Sequence, residues 1–444
     1  MLDIMMKKMM NSMMDDKLNE MLTSEYSNNI FAMMTMMQKL TPRPIMEAGM
    51  RAETGKPLAR PLGSPIVHFH WDQLLLSPKQ LFELPTADLN SIETKTVIGP
   101  KSARPLKLDI PILVTGMSLG GSLSIPMKTA LAKGAAKAGT ATNTGESVVT
   151  PYERDNAKYL IGQFHRGGWV NPLEQLNQVD AIEVQFGQGA FGGAVTDALS
   201  SDKIDKQLEE IWGLQDGEDA VIRARFPDIN SSEDIINLVN SIKKKYPVPV
   251  GVKIAASDYI ELELEVIAKT DADFVTIDGS EGGTAGTPPT LQDSVGLPTL
   301  HALVRTVDYL EKEGVKDRIS LLIAGGLKTP GDFLKALALG ADAIYIGSIA
   351  LMATMQSQMT KALPEDPPPQ IALYKGKLKD ELDVEAAAEN LSNFFKSSVA
   401  EMKLAAQALG KNSLQELNRS DLVSVDKELA EFAQVRYAMS ARKG

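Results

Sequence analysis

Two pairs of small residues, Gly325-Gly326 and Gly347-Ser348, each close a short apolar run late in the chain, in ISLLIAGG and DAIYIGS. Backbone amides freed by glycine can converge on a phosphate, often with a helix amino terminus behind them, and the Ser348 hydroxyl would add a donor. The competing reading is plain turn glycine, which any strand-to-helix turn favours. Two such pairs in succession favour the phosphate. Lys253 is a lone basic residue in the apolar run PVGVKI. A buried lysine is costly unless it meets an anion, although it could also snorkel to a rim. Glu146 and Glu281 sit in the glycine-rich stretches TNTGES and IDGSEGGT. Either could orient a substrate or take a proton, or only hold its loop in shape.

These residues share a position rather than a neighbourhood. Eight apolar runs occupy 111–116, 139–145, 159–164, 180–186, 249–254, 273–279, 319–326 and 342–348. Most are continuously apolar, as parallel strands buried on both faces must be, and helical stretches such as SSEDIINLVNSIKKKY alternate with them. Eight strand–helix units predict an α/β fold, a (β/α)8 TIM barrel, whose chemistry lies past the carboxyl ends of the strands. Reading those ends adds Gly116, Met117, Ser118 and Gly120 after the first run, and Asn143 in the second. It also adds Gln185 and Gln188 at the fourth and Gly282 and Gly283 after the sixth. The stretch Gly187 to Gly192, GQGAFG, matches G-x-G-x-x-G, but no acidic ribose partner or βαβ half accompanies it. It reads as a substrate-face loop.

Around the barrel, assigned to 111–362, the sequence divides into three further parts. Residues 1–40 form a Met-rich helical segment, with Met5, Met9 and Met13 and then Met6, Met10 and Met14 at i, i+4 spacing. Copper-thioether binding is one reading of that stripe. A pliable packing helix against the barrel or a neighbouring subunit of a homo-oligomer is the favoured one. Residues 41–110 read as a wrapping segment of strands and turns. Residues 363–444 begin with the Pro-rich LPEDPPPQ and continue as helices, with Ser413 and Ser420 as helix starts.

Composition narrows the function. The net charge of −11 and the absence of a dense basic block argue against nucleic acid. Without cysteine there is no disulfide, thiolate zinc site or cysteine-ligated iron–sulfur cluster in these residues, and four histidines give little material for a metal site. Lys7, Lys8, Asn11, Asp15 and Asp16 interrupt every early apolar stretch, and no run reaches a membrane span. The expectation is a cytoplasmic protein without membrane contact.

The segments TVIGPKSARPLKLDIPILVTGMSLGG, TATNTGES, EVQFGQGAFGG, PVGVKI, TIDGSEGGTAGTPP, LLIAGGLKT and YIGSIAL, in this order, resemble the FMN-binding synthase domain of the glutamate synthase family, in its short archaeal type. The resemblance implies FMN held by the Gly116–Gly121 loop, Lys253, Gly325, Gly326, Gly347 and Ser348. Lys253 would lie beside the N1–C2=O edge, with Glu146 and Gln188 near substrate, and hydride would pass to an imine of a keto acid. Two departures qualify it. Gln185 and Phe191 stand where the family's strand-four motif carries lysines, which implies a substrate less anionic than 2-oxoglutarate. The iron–sulfur cysteines are missing as well, so electrons and ammonia would come from a separate reductase or reduced nucleotide and a glutaminase partner. The alternative function is a catalytically altered flavin-binding or structural subunit of a larger assembly.

Overall fold

The computed structural model describes residues 2–25, 34, 37–38, 41–66, 71–167, 175–194 and 198–441. They belong to two compact units, Met1–Ala59 and Arg60–Gly444. His68, His70, Met33 and Met36 lie outside the described residues.

The first unit holds the helices Leu2–Thr23 and Pro42–Thr54. The side chains of Met5, Met6, Met9, Met10, Met13 and Met14 are exposed. The second helix lies where the sequence suggested strands and turns. Its prolines occupy the first turn, where a missing N–H breaks no helical hydrogen bond.

In the second unit, eight parallel strands form the barrel. They are β1 (Ile112–Val114), β2 (Ala141–Asn143), β3 (Tyr159–Phe164), β4 (Ala181–Gln185), β5 (Val250–Ala255), β6 (Phe274–Asp278), β7 (Ser320–Ala324) and β8 (Ala343–Ile346). Their hydrogen-bonded order runs β1-β8-β7-β6-β5-β4-β3-β2, and a parallel bridge between Gly116 and Asn143 joins the ends. All eight match the apolar runs. Residues of β6 and β7 are buried throughout, which explains the lack of alternation in their sequences.

Among the described residues of this unit, the helices of eight residues or more are α1 (Ile125–Lys137), α2 (Ser232–Lys245), α3 (Ile260–Ala268), α4 (Thr299–Lys312), α5 (Pro330–Ala338), α6 (Ser348–Met355) and α7 (Val384–Ala408). Local signals set several of their starts. Ser124 and Ser231 accept from the backbone at the first turns of α1 and α2, and Thr329 with Asp332 makes a capping box for α5. Gly134 lets α7 approach α1, since a Cβ there would meet Ala388 O at 2.9 Å.

A hairpin of Thr96–Ile98 and Leu106–Leu108 closes the amino-terminal end of the barrel. Ile98, Leu106 and Leu108 pack with Leu113, Phe274 and Leu322 of the interior. Each such buried side chain contributes roughly 1.5–3 kcal/mol. Polar anchors fix the hairpin loop to residues just before or at the start of the strands: Gly99 N donates to Ser320 Oγ (3.1 Å) and Arg104 N to Pro247 O (3.0 Å).

The tail differs from its sequence reading. Leu422–Ser424 is a strand paired antiparallel with Leu74–Leu76, and the helix begins only at Lys427, capped by Asp426. Leu422 and Ser424 are buried on one side of that strand, a period of two that the leucine count obscures.

Candidate active site

At the carboxyl ends of the strands lies a cavity of about 480 Å³, a size suited to a cofactor or drug-sized ligand. Gly116, Met117 and Ser118 line it after β1, Gly282 and Gly283 after β6, Gly325 and Gly326 after β7, and Gly347 and Ser348 after β8. Glu146, Gln188, Lys253 and Glu281 line it too. Strand-end reasoning thus brought thirteen candidates into one cavity from seven separate places in the sequence.

The glycines are placed where side chains would not fit. Gly325 and Gly326 have φ of 117° and 72°, and a Cβ on Gly325 would lie 2.3 Å from Thr299 Oγ1. A Cβ on Gly283 would lie 2.4 Å from Ser348 Oγ, so a larger residue there would displace the Ser348 hydroxyl from its place beside the β6 loop. Ser348 opens α6 with Gly347 as its cap. The resulting corner offers backbone amides, a hydroxyl and the positive end of a helix.

Lys253 and Asp278 form the charged part of the floor. Lys253 is buried, with Nζ 3.1 Å from Asp278 Oδ2. It does not snorkel. Burial acts to lower its pKa, but the carboxylates of Asp278, Glu183 and Glu146 outweigh it and hold the ammonium above the ordinary lysine value. Glu146 meets Arg166, whose Nη2 lies 3.5 Å from Glu146 Oε1. The same buried guanidinium donates to Gly193 O (3.1 Å) and Ala224 O (3.0 Å), and it sits over the Phe191 ring. Glu281 accepts from Thr299 N and Oγ1, both at 2.7 Å, which fits the loop-holding reading better than proton transfer.

Three candidates do not line the cavity. Gly120 faces away, against Leu208 and Trp212, and its φ of 87° shapes the loop instead. Asn143 lies beneath, donating to Glu183 Oε1 (3.0 Å) and Tyr345 Oη (3.2 Å) while its Oδ1 accepts from Gly145 N (2.9 Å). Gln185 is fully buried opposite Lys253 in the β4–β5 register, and its amide makes no hydrogen bond among the described residues. The GQGAFG stretch is a closed turn, with Gln188 and Gly192 bonded to each other, rather than a strand-to-helix phosphate loop.

Arg166, Glu183 and the Lys128–Glu153 pair escaped the sequence reading. Arg166 follows β3, the strand whose end that reading did not use. Lys128 Nζ reaches Met117 O (2.6 Å), Asn143 O (3.0 Å) and Glu153 Oε1 (2.8 Å), pinning the first two loops together. Both ends of that pair are buried. Burial raises the Glu153 pKa to about 7 against the opposing pull of Lys128.

The fold and site define a (β/α)8 barrel with a ligand-sized cavity at the carboxyl ends of its strands. Residues 73–412 match the conserved region in glutamate synthase, and the chain belongs to the glutamate synthase family. It is 34% identical over 390 residues to the glutamate synthase large subunit-like protein of Rhizobium meliloti, covering 83% of this chain and 87% of that one. It is 35% identical over 361 residues to the archaeal glutamate synthase [NADPH] of Methanocaldococcus jannaschii, covering 79% and 70%. Among solved structures, an oxidised active mutant of (S)-mandelate dehydrogenase shares the fold with a TM-score of 0.51 at 16% identity, covering 79% and 88%. A mandelate oxidase mutant with a monooxide FMN adduct does so with 0.50 at 14% identity, covering 78% and 88%. No helix among the described residues is long and apolar enough to cross a membrane.

Proposed function

We propose that the chain is an FMN-dependent oxidoreductase acting on C–N bonds, which reduces an imine or a keto-acid-derived acceptor. The observation that carries this reading is one cavity with the glycine corner of Gly325, Gly326, Gly347 and Ser348 and the Lys253 ammonium both on its wall. FMN fits that donor set. Its phosphate would take the glycine corner, its ring the apolar wall of Leu62, Ile66 and Leu373, and its N1–C2=O edge the lysine. When bound, FMN supplies hydride exchange. The chain's own residues do the rest. Lys253 holds positive charge at its Nζ, Glu146 stands at the wall with its orientation fixed by Arg166, and Gln188 offers an amide to substrate. A flavin-bearing solved neighbour and relatives named for NADPH support the assignment and make NADPH the first reductant to try.

A dicarboxylate is poorly served by this pocket. Lys253 is matched by Asp278, and Arg166, behind the wall, by Glu146, which leaves Lys328 on the cavity wall for a single carboxylate. A monocarboxylate keto acid with an amine is the better acceptor.

The test is the visible spectrum of purified protein after FMN titration, followed by a screen of keto acids and amines under reducing conditions. A flavin spectrum and turnover highest with a singly charged keto acid are expected. Absence of FMN uptake overturns the assignment. Bound FMN that no donor reduces points to the structural-subunit alternative.

A further inference from the structure

Glu183 is a buried acid that the proposed chemistry leaves unused. It lies on β4, two residues before Gln185 and so on the same inward face, and it is fully buried. Its Oε1 accepts from Asn143 Nδ2 (3.0 Å) and Gln163 Nε2 (2.9 Å), and its Oε2 from Thr276 Oγ1 (2.8 Å). The Tyr345 hydroxyl accepts from the same Asn143 amide at 3.2 Å. Donors from β2, β3 and β6 therefore converge on one carboxylate inside the barrel.

Such a centre is expensive to maintain. A buried carboxylate needs several donors to offset lost hydration, and apolar residues of similar volume would fill the space at lower cost. Its location suggests why it is kept. Tyr345 and Lys253 both line the cavity floor, and Glu183 is one of the carboxylates whose charge acts on Lys253. The acid lies one layer below the cavity and reaches it by field rather than by contact.

We propose that Glu183 sets the electron affinity of the bound flavin by offsetting the charge of Lys253 from beneath. This rests on the FMN reading given above. Reduction of a flavin by two electrons with uptake of one proton adds one negative charge to its ring. Lys253 favours that charge and Glu183 opposes it, so the pair keeps the cofactor a stronger hydride donor than the lysine alone would. Glu183 touches no substrate in this scheme. It is a positioning residue for charge, and its donors hold it in place.

The experiment uses the full chain loaded with FMN and measures the midpoint potential of wild type and Glu183→Gln. The variant is expected to shift the oxidised–reduced equilibrium at least tenfold toward the reduced form, about 30 mV upward for a two-electron couple. FMN affinity should stay within a few-fold, because the phosphate corner is untouched. Should Glu183→Gln not fold, Glu183→Met with Gln163→Met and Thr276→Val removes the acid together with two of its donors, and the same shift is expected. A smaller shift, a downward shift, or loss of FMN from both variants overturns the inference and leaves Glu183 a structural residue. A wild-type chain that binds no FMN overturns the proposed function, and this inference with it.

Discussion

Gln185 and Lys253 are partners across the β4–β5 ladder, the first buried beneath the cavity and the second on its wall. Gln185→Lys would add an ammonium on the same inward face as Glu183. Its expected effect is at least a tenfold lower KM for a dicarboxylate keto acid, since a charge-assisted hydrogen bond is worth about 1.5–3 kcal/mol. Unchanged KM across mono- and dicarboxylates would remove Gln185 from substrate selection. Phe191→Lys should not help further, because that position lies against the Arg166 guanidinium. Lys253→Met should lower turnover by about two orders of magnitude or more, as it leaves Asp278 buried without its partner. Turnover within tenfold of wild type would deny the lysine its electrostatic role. At this scale the sequence was readable where glycine or a lone charge interrupted an apolar run. Glu183 was not readable, because a carboxylate inside a strand looks like any polar interruption until three other strands supply its donors. Arg166 sat in plain view after β3, and applying the strand-end rule there would have found it.

Elements carry the geometry that the residues need. Gly325→Ala forces a Cβ toward Thr299 at a φ of 117°, so a loss of about 1–3 kcal/mol of stability and a marked loss of FMN affinity are expected. Thermal unfolding and flavin titration would read the two effects, and unchanged FMN affinity would exclude this turn from the phosphate site. Lys128→Met breaks the buried pair with Glu153 and frees the β1 and β2 loops at once. A cost of about 3–5 kcal/mol in denaturant unfolding is expected. A cost under 1 kcal/mol would mean the pair does not pin the loops. The strands were legible because each is a short, largely apolar run, and five of the eight runs end in glycine or serine. The helix at Pro42–Thr54 and the strand at Leu422–Ser424 were not. Prolines mark a helix start as readily as a turn, and a three-residue strand acquires its period only from the partner at Leu74–Leu76.

For the whole molecule, acid sensitivity follows from His165. Burial first, and the neighbouring charge of Arg166 second, press its pKa down to about 3. The unfolded chain would bind a proton there below about pH 6.5, while the folded chain stays neutral. Stability is therefore expected to fall as pH drops from about 6.5 toward about 3, at up to about 1.36 kcal/mol per pH unit from this residue. His165→Gln should flatten that part of the curve. An identical slope would place the acid sensitivity elsewhere.

The hairpin that fills the amino-terminal end of the barrel has a kinetic corollary. With one end stoppered, a flavin bound as proposed would be reached through the opposite mouth, where both the donor and the acceptor of hydride would call. Two visitors sharing one doorway take turns. Steady-state plots at several fixed donor concentrations should then give parallel lines, the signature of two alternating half-reactions, whichever keto acid proves to be the guest.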